Sequence, residues 1–454
     1  MTRQPHVLVI GGGIGGLCLA QGLRGAGVSV AVYERTRVRT DWLQGYRIHI
    51  SPHGSRALHE CLPTELWDAF TATAGRPSAG FGFLTEQLKE LLFLDRELLA
   101  GDEASPVSSH HSVSRITLRQ VLLGGMDDVV HHGKEFTRYE QAPDGRVTAY
   151  FSDGTSATGD VLVAADGANS QVRQQYLPGA RRMDTGVVAI AGQLPLDDRA
   201  RAWLPRQLST SVNNIMPPRD SFMFVAVWEG DRKAVWEGDP KAVWEGDRKR
   251  AALPVGVGGS DDAARLRPGL LFDNTQDYLF WAYAAKRDAY PAGGLDSSDG
   301  GALQGLTQSM IRGWHPALLR IVAESDPATV APVRIRSMAP VGPWPTTSVT
   351  LLGDAIHNMT PMAGIGANTA LRDASLLCRK LTAADRGQAP LLSAIHEYEA
   401  EMLGYGFAAV KLSLRNARQA TSGGRAARGA VRTALRVANA IPPVKRQMAR
   451  SMRG

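Results

Sequence analysis

A two-domain α/β architecture is predicted: a Rossmann-like nucleotide-binding domain of the GxGxxG type, interleaved with an antiparallel-sheet domain and followed by C-terminal helices. Three observations predict it. The chain opens on strand, glycine turn, helix and strand in VLVIGGGIGGLCLAQGLRGAGVSVAVYER. Two later apolar strands end in acidic glycine turns, DVLVAADG at 160–167 and VTLLGD at 349–354. Residues 178–330 differ, with many Pro, Gly and Asp and most of the Trp. The first domain is assigned to 1–75, 102–177 and 331–388, and the second to 76–101 and 178–330. A helical region occupies 389–454.

Each element follows from its pattern. Val7 to Ile10 form an uninterrupted apolar run, as in a strand buried on both faces. Leu17, Ala20, Leu23 and Ala26 recur at helical spacing, and Gly27 ends that helix. Val28 to Val32 make the next strand, with Glu34 at its tip. APDGRVTAYFSDG reads as a hairpin. From Gly366 onward the sequence is largely helical. AVWEGD occurs three times, at 226–231, 234–239 and 242–247. A period of eight in three copies is too short for a solenoid or propeller, so it reads as a lengthened hairpin or loop.

Composition narrows the function. With 44% apolar and 21% charged residues the chain is neither disordered nor a membrane-spanning bundle. The net charge is +7, from 51 Lys+Arg and 44 Asp+Glu. After Glu401 there is no acidic residue and there are 11 Lys/Arg, leaving 40 basic against 44 acidic before it. The body is mildly acidic, so no basic groove for nucleic acid is expected. Cys18, Cys61 and Cys378 form no paired framework and fit a reducing cytoplasm. No signal peptide or spanning helix is expected.

Gly11-x-Gly13-x-x-Gly16 has its strand before it and its helix after it. The glycines permit a tight turn, close approach of a pyrophosphate and close helix–strand packing, while the helix start offers free N–H groups. Glu34, 18 residues beyond Gly16, is placed for the ribose of adenosine. Asp354 ends a strand where it can accept from a polyol hydroxyl, Pro361 turns the chain, and Gly364-x-Gly366-Ala367-Asn368 opens a new helix. One ligand touching both glycine sites has a pyrophosphate at one end and an electron-accepting ring at the other, which fits FAD and not NAD.

Over residues 6–400 the sequence resembles the class A, single-component flavoprotein monooxygenases of the para-hydroxybenzoate hydroxylase type. The resemblance implies that Gly11, Gly13 and Gly16 hold the FAD pyrophosphate and that Glu34, with Arg35 beside it, meets the adenosine ribose. It places Arg115 of SRITLRQVLL at the ribityl or phosphate region, Asp166 in a motif linked to FAD and NAD(P)H, and Asp354 on the ribityl chain. Gly364, Gly366, Ala367 and Asn368 would face the flavin N1/O2 edge. Arg47 of GYRIHI and Pro361 would lie nearest the ring and are the catalytic candidates. His49, Phe222, Phe224, Trp281 and Tyr283 are pocket candidates, with core packing as the alternative for the aromatics.

The activity implied is NAD(P)H-driven insertion of one oxygen atom from O2 through a C4a-(hydro)peroxyflavin, hydroxylating an aromatic or polycyclic secondary metabolite. Epoxidation of a terpenoid or polyketide, Baeyer–Villiger insertion, oxygen-independent flavin reduction and a non-catalytic flavin protein stay open. A halogenase W-x-W-x-I-P motif is absent. His110-His111 and His131-His132 lack metal-ligand spacing and read as solvated loops, while His357 supports the fold near the flavin. No metal is expected. In the tail, Arg425, Arg428, Arg432 and Arg436 are expected on one helix face and Val431, Leu435 and Ala438 on the other. That helix reads either as packed on the flavin domain with a solvated Arg face, or as a peripheral membrane contact. The expected partners are a lipophilic polycyclic small molecule and O2.

Overall fold

The computed structural model describes residues 5–37, 47–100, 105–230, 277–297, 299–422 and 424–453. The second and third AVWEGD copies lie outside these residues.

The strands, in chain order, are β1 (His6–Ile10), β2 (Ser29–Glu34), β3 (Arg47–Ile50), β4 (Gly80–Leu84), β5 (Glu90–Asp95) and β6 (His111–Ser114). Next come β7 (Val130–His132), β8 (Phe136–Gln141), β9 (Val147–Phe151), β10 (Ser156–Gly159), β11 (Val161–Ala164) and β12 (Arg182–Pro195). The last are β13 (Val212–Ile215), β14 (Ser221–Trp228), β15 (Tyr278–Lys286), β16 (Ala331–Met338) and β17 (Val349–Leu351). The helices used below are α1 (Ile14–Gly25), α2 (Pro52–Cys61), α3 (Arg115–Leu122), α4 (Gln171–Tyr176), α5 (Gly300–Met310) and α6 (Pro316–Ala323). They continue with α7 (Gly366–Asp385), α8 (Leu391–Thr421), α9 (Gly424–Ala440) and α10 (Pro442–Arg453).

The predicted Rossmann-like unit is a five-stranded parallel sheet in the order β17-β11-β1-β2-β7. Its central strands are fully buried, as their apolar runs require. His131 and His132 form its edge strand β7 rather than a loop, and His131 stacks on Tyr33. The predicted hairpin is β8–β9, extended by β10 into a three-stranded antiparallel sheet. All three cysteines meet where α1, α2 and α7 pack: a Cβ on Gly22 would lie 2.8 Å from Cys378 Sγ and 3.1 Å from Cys61 Sγ. Contact with Cys18 and burial push the Cys61 thiol up, and contact with Cys61 and burial push the Cys378 thiol up, so these cysteines act as small hydrophobes.

The second sheet has seven strands in the order β16-β12-β15-β14-β13-β4-β5. It is antiparallel except for the β13–β4 pair. The assigned domain limit at 331 falls inside the sheet's register, because β16 pairs with β12 from Arg182↔Met338 to Ala191↔Ala331. The first AVWEGD copy supplies the end of β14, which pairs with β15 across the segment 231–276. Arg201 bridges Glu229 and Asp277 at the two ends of that segment, with 2.7 Å to Asp277 Oδ2.

The tail departs from expectation. Helix α9 packs on β5 of the second sheet, not on the nucleotide-binding domain. Arg428 is buried, and Arg432 pairs with Glu86 at 3.3 Å, so both belong to the inner face with Leu435 and Ala438. Val431 is 47% exposed and lies outside. Buried acceptors, namely backbone carbonyls and acidic side chains, pull two arginines inward.

Candidate cofactor and substrate site

The glycine loop follows β1 directly. Gly11 has φ +110, and a Cβ there would lie 2.4 Å from the Ala165 carbonyl oxygen. A Cβ on Gly16 would approach the Gly11 oxygen to 2.2 Å, so α1 packs on the loop only because this residue lacks a side chain. A Cβ on Gly13, the N-cap of α1, would meet no protein atom within 4 Å, and no side chain caps that helix start. Its first-turn N–H groups therefore suit an anion.

Glu34 is buried, and its two oxygens accept from Gly12 N at 2.7 Å and Thr36 N at 2.9 Å. Arg119, also buried, donates from Nε to the Gly12 carbonyl at 2.9 Å. The Gly12 peptide is thus held from both sides. Sequence reasoning misses Arg119; its signal is a cation one helical turn after Arg115 in an otherwise apolar helix. Arg35 is exposed just past the strand.

Three more acidic or basic candidates gather at the carboxyl ends of the parallel strands, where ligands of open α/β sheets bind. Asp354 follows β17 and is exposed. It faces Arg115 and Arg182, each pushed down chiefly by burial and partly held up by Asp354. The turn beneath it is locked. Gly353 has φ +63 and donates to Asp373 Oδ2 at 2.7 Å; the same oxygen meets His357 Nε2 at 2.6 Å, and Tyr405 donates to Oδ1 at 2.6 Å. Burial pulls the His357 pKa down, but Asp373 outweighs it, so the imidazole is held above its ordinary value. Asp166 follows β11. Its Oδ2 accepts from Gln171 N at 2.8 Å and so caps α4, while Oδ1 is buried with no hydrogen-bond partner among the described residues, and burial raises the pKa.

Pro361 is exposed and opens a short 3-10 turn, Pro361–Ala363. Gly364 then takes φ +65, and α7 starts at Gly366 with no side-chain cap, leaving the Gly366 and Ala367 amides at an open helix end. Asn368 serves the fold instead. Its Oδ1 accepts from Ser51 N at 2.7 Å, and its Nδ2 donates to the His49 carbonyl at 2.8 Å. It ties α7 to β3 and α2.

The β3–β6 ribbon has one polar face. Arg47 pairs with Ser114 and His49 with Ser112, so these four side chains share that face, while Ile50 and Val113 enter the core on the other. Arg47 Nε donates to Ser112 Oγ at 2.6 Å, and the Arg47 amide donates to the Tyr278 hydroxyl at 3.0 Å, which joins the ribbon to β15. His49 stacks on His110 with ring centroids 4.9 Å apart and shares a 2.8 Å hydrogen bond with it. Burial, then His110, Arg47 and His111, push the His49 pKa down to about 3. His110-His111 is therefore not a solvated loop: one ring joins His49 and the other packs against Trp67 and Phe70. Among the described residues no His/Cys/Asp/Glu group could hold a metal ion.

Strand parity separates the aromatic candidates. Phe222 pairs with Ala284 and Phe224 with Ala282, on the sheet face that packs against Met362 and Ala420. Phe280 meets Phe224 on this face, and Trp228 stacks on Tyr278. Trp281 pairs with Val225 and Tyr283 with Met223, on the opposite face under α5 and α6. Trp281 is fully buried and donates to Ser325 Oγ at 2.7 Å. Trp281 and Tyr283 are core; Phe280, Trp228 and Tyr278 are the residues that even spacing from Phe222 and Phe224 would have found.

The family described as an FAD binding domain matches residues 4–252 and 309–413, and the chain belongs to it. It is 29% identical over 396 residues to the dual O-methyltransferase/FAD-dependent monooxygenase elcB of Phaeosphaeria nodorum, covering 82% of this chain and 39% of that protein. The chain thus spans less than half the length of the first curated relatives it matches. An FAD-dependent urate hydroxylase of Klebsiella pneumoniae is 27% identical over 396 residues, covering 87% of this chain and 85% of that protein. A solved structure, described as a candidate FAD-containing monooxygenase from Photorhabdus luminescens, superposes with a TM-score of 0.75 at 36% identity over 92% of this chain and 98% of that one. These relatives place the chain among the class A FAD-dependent, aromatic hydroxylase-type monooxygenases.

Proposed function

We propose that this member of the FAD-dependent monooxygenases uses NAD(P)H and O2 to hydroxylate a lipophilic aromatic or polycyclic secondary metabolite. The observation that carries the reading is the pairing of two unlike surfaces beside the start of α7. One is the polar ribbon face of Arg47, His49 and Ser112; the other is the aromatic sheet face of Phe222, Phe224, Phe280 and Tyr278. The Arg47–Tyr278 hydrogen bond joins them. Flat apolar ring systems suit the second surface, and their oxygen substituents suit the first.

The residues fit FAD. The Gly11–Gly16 loop leaves room at a helix start for the pyrophosphate, exposed Asp354 can accept from a ribityl hydroxyl, and the Gly366 and Ala367 amides can favour negative charge at the ring. Bound FAD supplies electron transfer from NAD(P)H and activation of O2. The chain itself contributes binding, orientation and exclusion of water. Arg47 offers a guanidinium beside the ribbon, and neutral His49 offers a proton acceptor or donor shared with His110.

The test is anaerobic reduction of the holoenzyme by NADH and by NADPH, followed by isotopically labelled O2 and a panel of phenols, polycyclic quinols and olefins. Label in a hydroxylated arene supports the reading. Label only in an epoxide or ester reassigns the oxygen step, and slow reoxidation without transfer favours a reductase.

A further inference from the structure

We propose that the corner between α9 and α10 is a docking surface for an anionic lipid bilayer. Helix α9 is firmly seated. Leu435 and Ala438 are buried, and Leu435 joins Leu91, Leu92, Leu94 and Ala449 of α10 in a small core. Arg428 donates to the carbonyls of Ser221 at 2.8 Å, Pro217 and Ala420, and Asn439 accepts from Phe93 N at 3.3 Å and donates to Glu90 at 2.9 Å. A helix so anchored presents a fixed outer surface.

That outer surface is apolar where a soluble helix is normally polar. Val437, Ile441 and Val444 at the corner are 50, 42 and 38% exposed, three of the eight large exposed hydrophobics among the described residues. Exposed Arg425, Arg436, Arg446 and Arg450 lie in the same two helices, and no acidic residue follows Glu401. Nucleic acid would engage the arginines but leave the valines and isoleucine in water. A second copy would bring like charge against like. A bilayer with anionic headgroups satisfies both, taking cations at the surface and aliphatic groups just below it.

The start of α9, not the corner, reaches the aromatic face. Arg428 grips the carbonyls of Ser221 and Ala420, and Ala420 packs in one cluster with Phe222 and Met362 of the aromatic face. That grip lies about 20 Å along α9 from the docked corner. The surface stands on its own residues, so it survives if the substrate proves water-soluble, and the substrate reading survives if vesicles are not bound.

The test is sedimentation of the FAD-loaded full chain with phosphatidylcholine vesicles, with and without phosphatidylglycerol. Binding to the anionic vesicles alone is expected, weakened by salt. The triple variant V437D/I441D/V444D should bind about tenfold less, and R436E/R446E/R450E should lose the salt dependence. Flavin absorbance and melting temperature should match the native chain, because all six side chains are on the surface. Equal binding to both vesicle types, no binding, or native-like binding by the triple aspartate variant overturns the proposal. So does loss of a dimer in that variant with vesicle binding unchanged.

Discussion

The glycine-loop end and the aromatic-sheet end of this molecule are built by different means. At the cofactor end the determinants are backbone: Gly11 and Gly16 admit close contacts that no other residue permits, and Gly353 makes a left-handed turn over Asp373. At the aromatic-sheet end, the proposed substrate site, the determinants are side chains on alternate positions of strands from distant parts of the chain. The first kind of site tolerates almost no substitution at a few positions. The second tolerates change broadly, and this is how one flavin scaffold serves many substrates.

Four measurements bear on that contrast. Gly16→Val should have the largest effect, about 3 kcal/mol or more, because its side chain enters the space of the Gly11 carbonyl. The protein should purify without flavin absorbance; retention of full colour would break the contrast. Next, Trp281→Ala should cost about 3–5 kcal/mol of stability as a cavity in the core. Phe224→Ala, half-buried on the other face, should cost less than about 2 kcal/mol and change which ligands perturb the flavin spectrum. If the two variants exchange behaviour, the faces are misassigned. Asp354→Ala should weaken FAD binding by about 1–2 kcal/mol, read by flavin fluorescence titration, with an unchanged melting temperature for the apoprotein.

The pH dependence runs in opposite directions at the two ends. His357 is held above its ordinary value by Asp373, so its contribution is complete below about pH 6.5 and fades as pH rises through the raised pKa. His49 is pushed down to about 3, so its contribution is present above about pH 6.5 and fades as pH falls toward 3. Melting curves should therefore lose their alkaline decline in His357→Asn and part of their acid decline in His49→Asn. Parallel curves for the two variants would erase the distinction.

The same contrast explains what the sequence could reveal. The glycine loop, Asp354 and the α7 start are short contiguous motifs whose chemistry is local, and their strands and helices are visible as runs of buried residues. The Arg119 clamp, the His49–His110 pair and the Asp373–Tyr405 lock each join residues far apart in the chain, and no periodicity reports such meetings. Aromatic character alone singles out Trp281 and Tyr283, where the side-chain period of two, carried across from Phe222, decides the face. The Arg face of α9 departs from its helical pattern because buried carbonyl acceptors at Ser221 and Ala420 outrank the usual preference of arginine for water.

Arg201 holds Glu229 and Asp277 together, and Trp228 pairs with Tyr278 just inside them. Everything between is spliced onto a closed base. The two ends are fixed whatever the number of residues between them, and by loop-closure entropy one eight-residue AVWEGD unit more or less changes the cost by only about 0.2 kcal/mol. The paired residues of β14 and β15 lie on the near side of that bridge. A change in repeat number is therefore expected to leave the paired strands unaltered, which melting curves of chains with one unit removed would check.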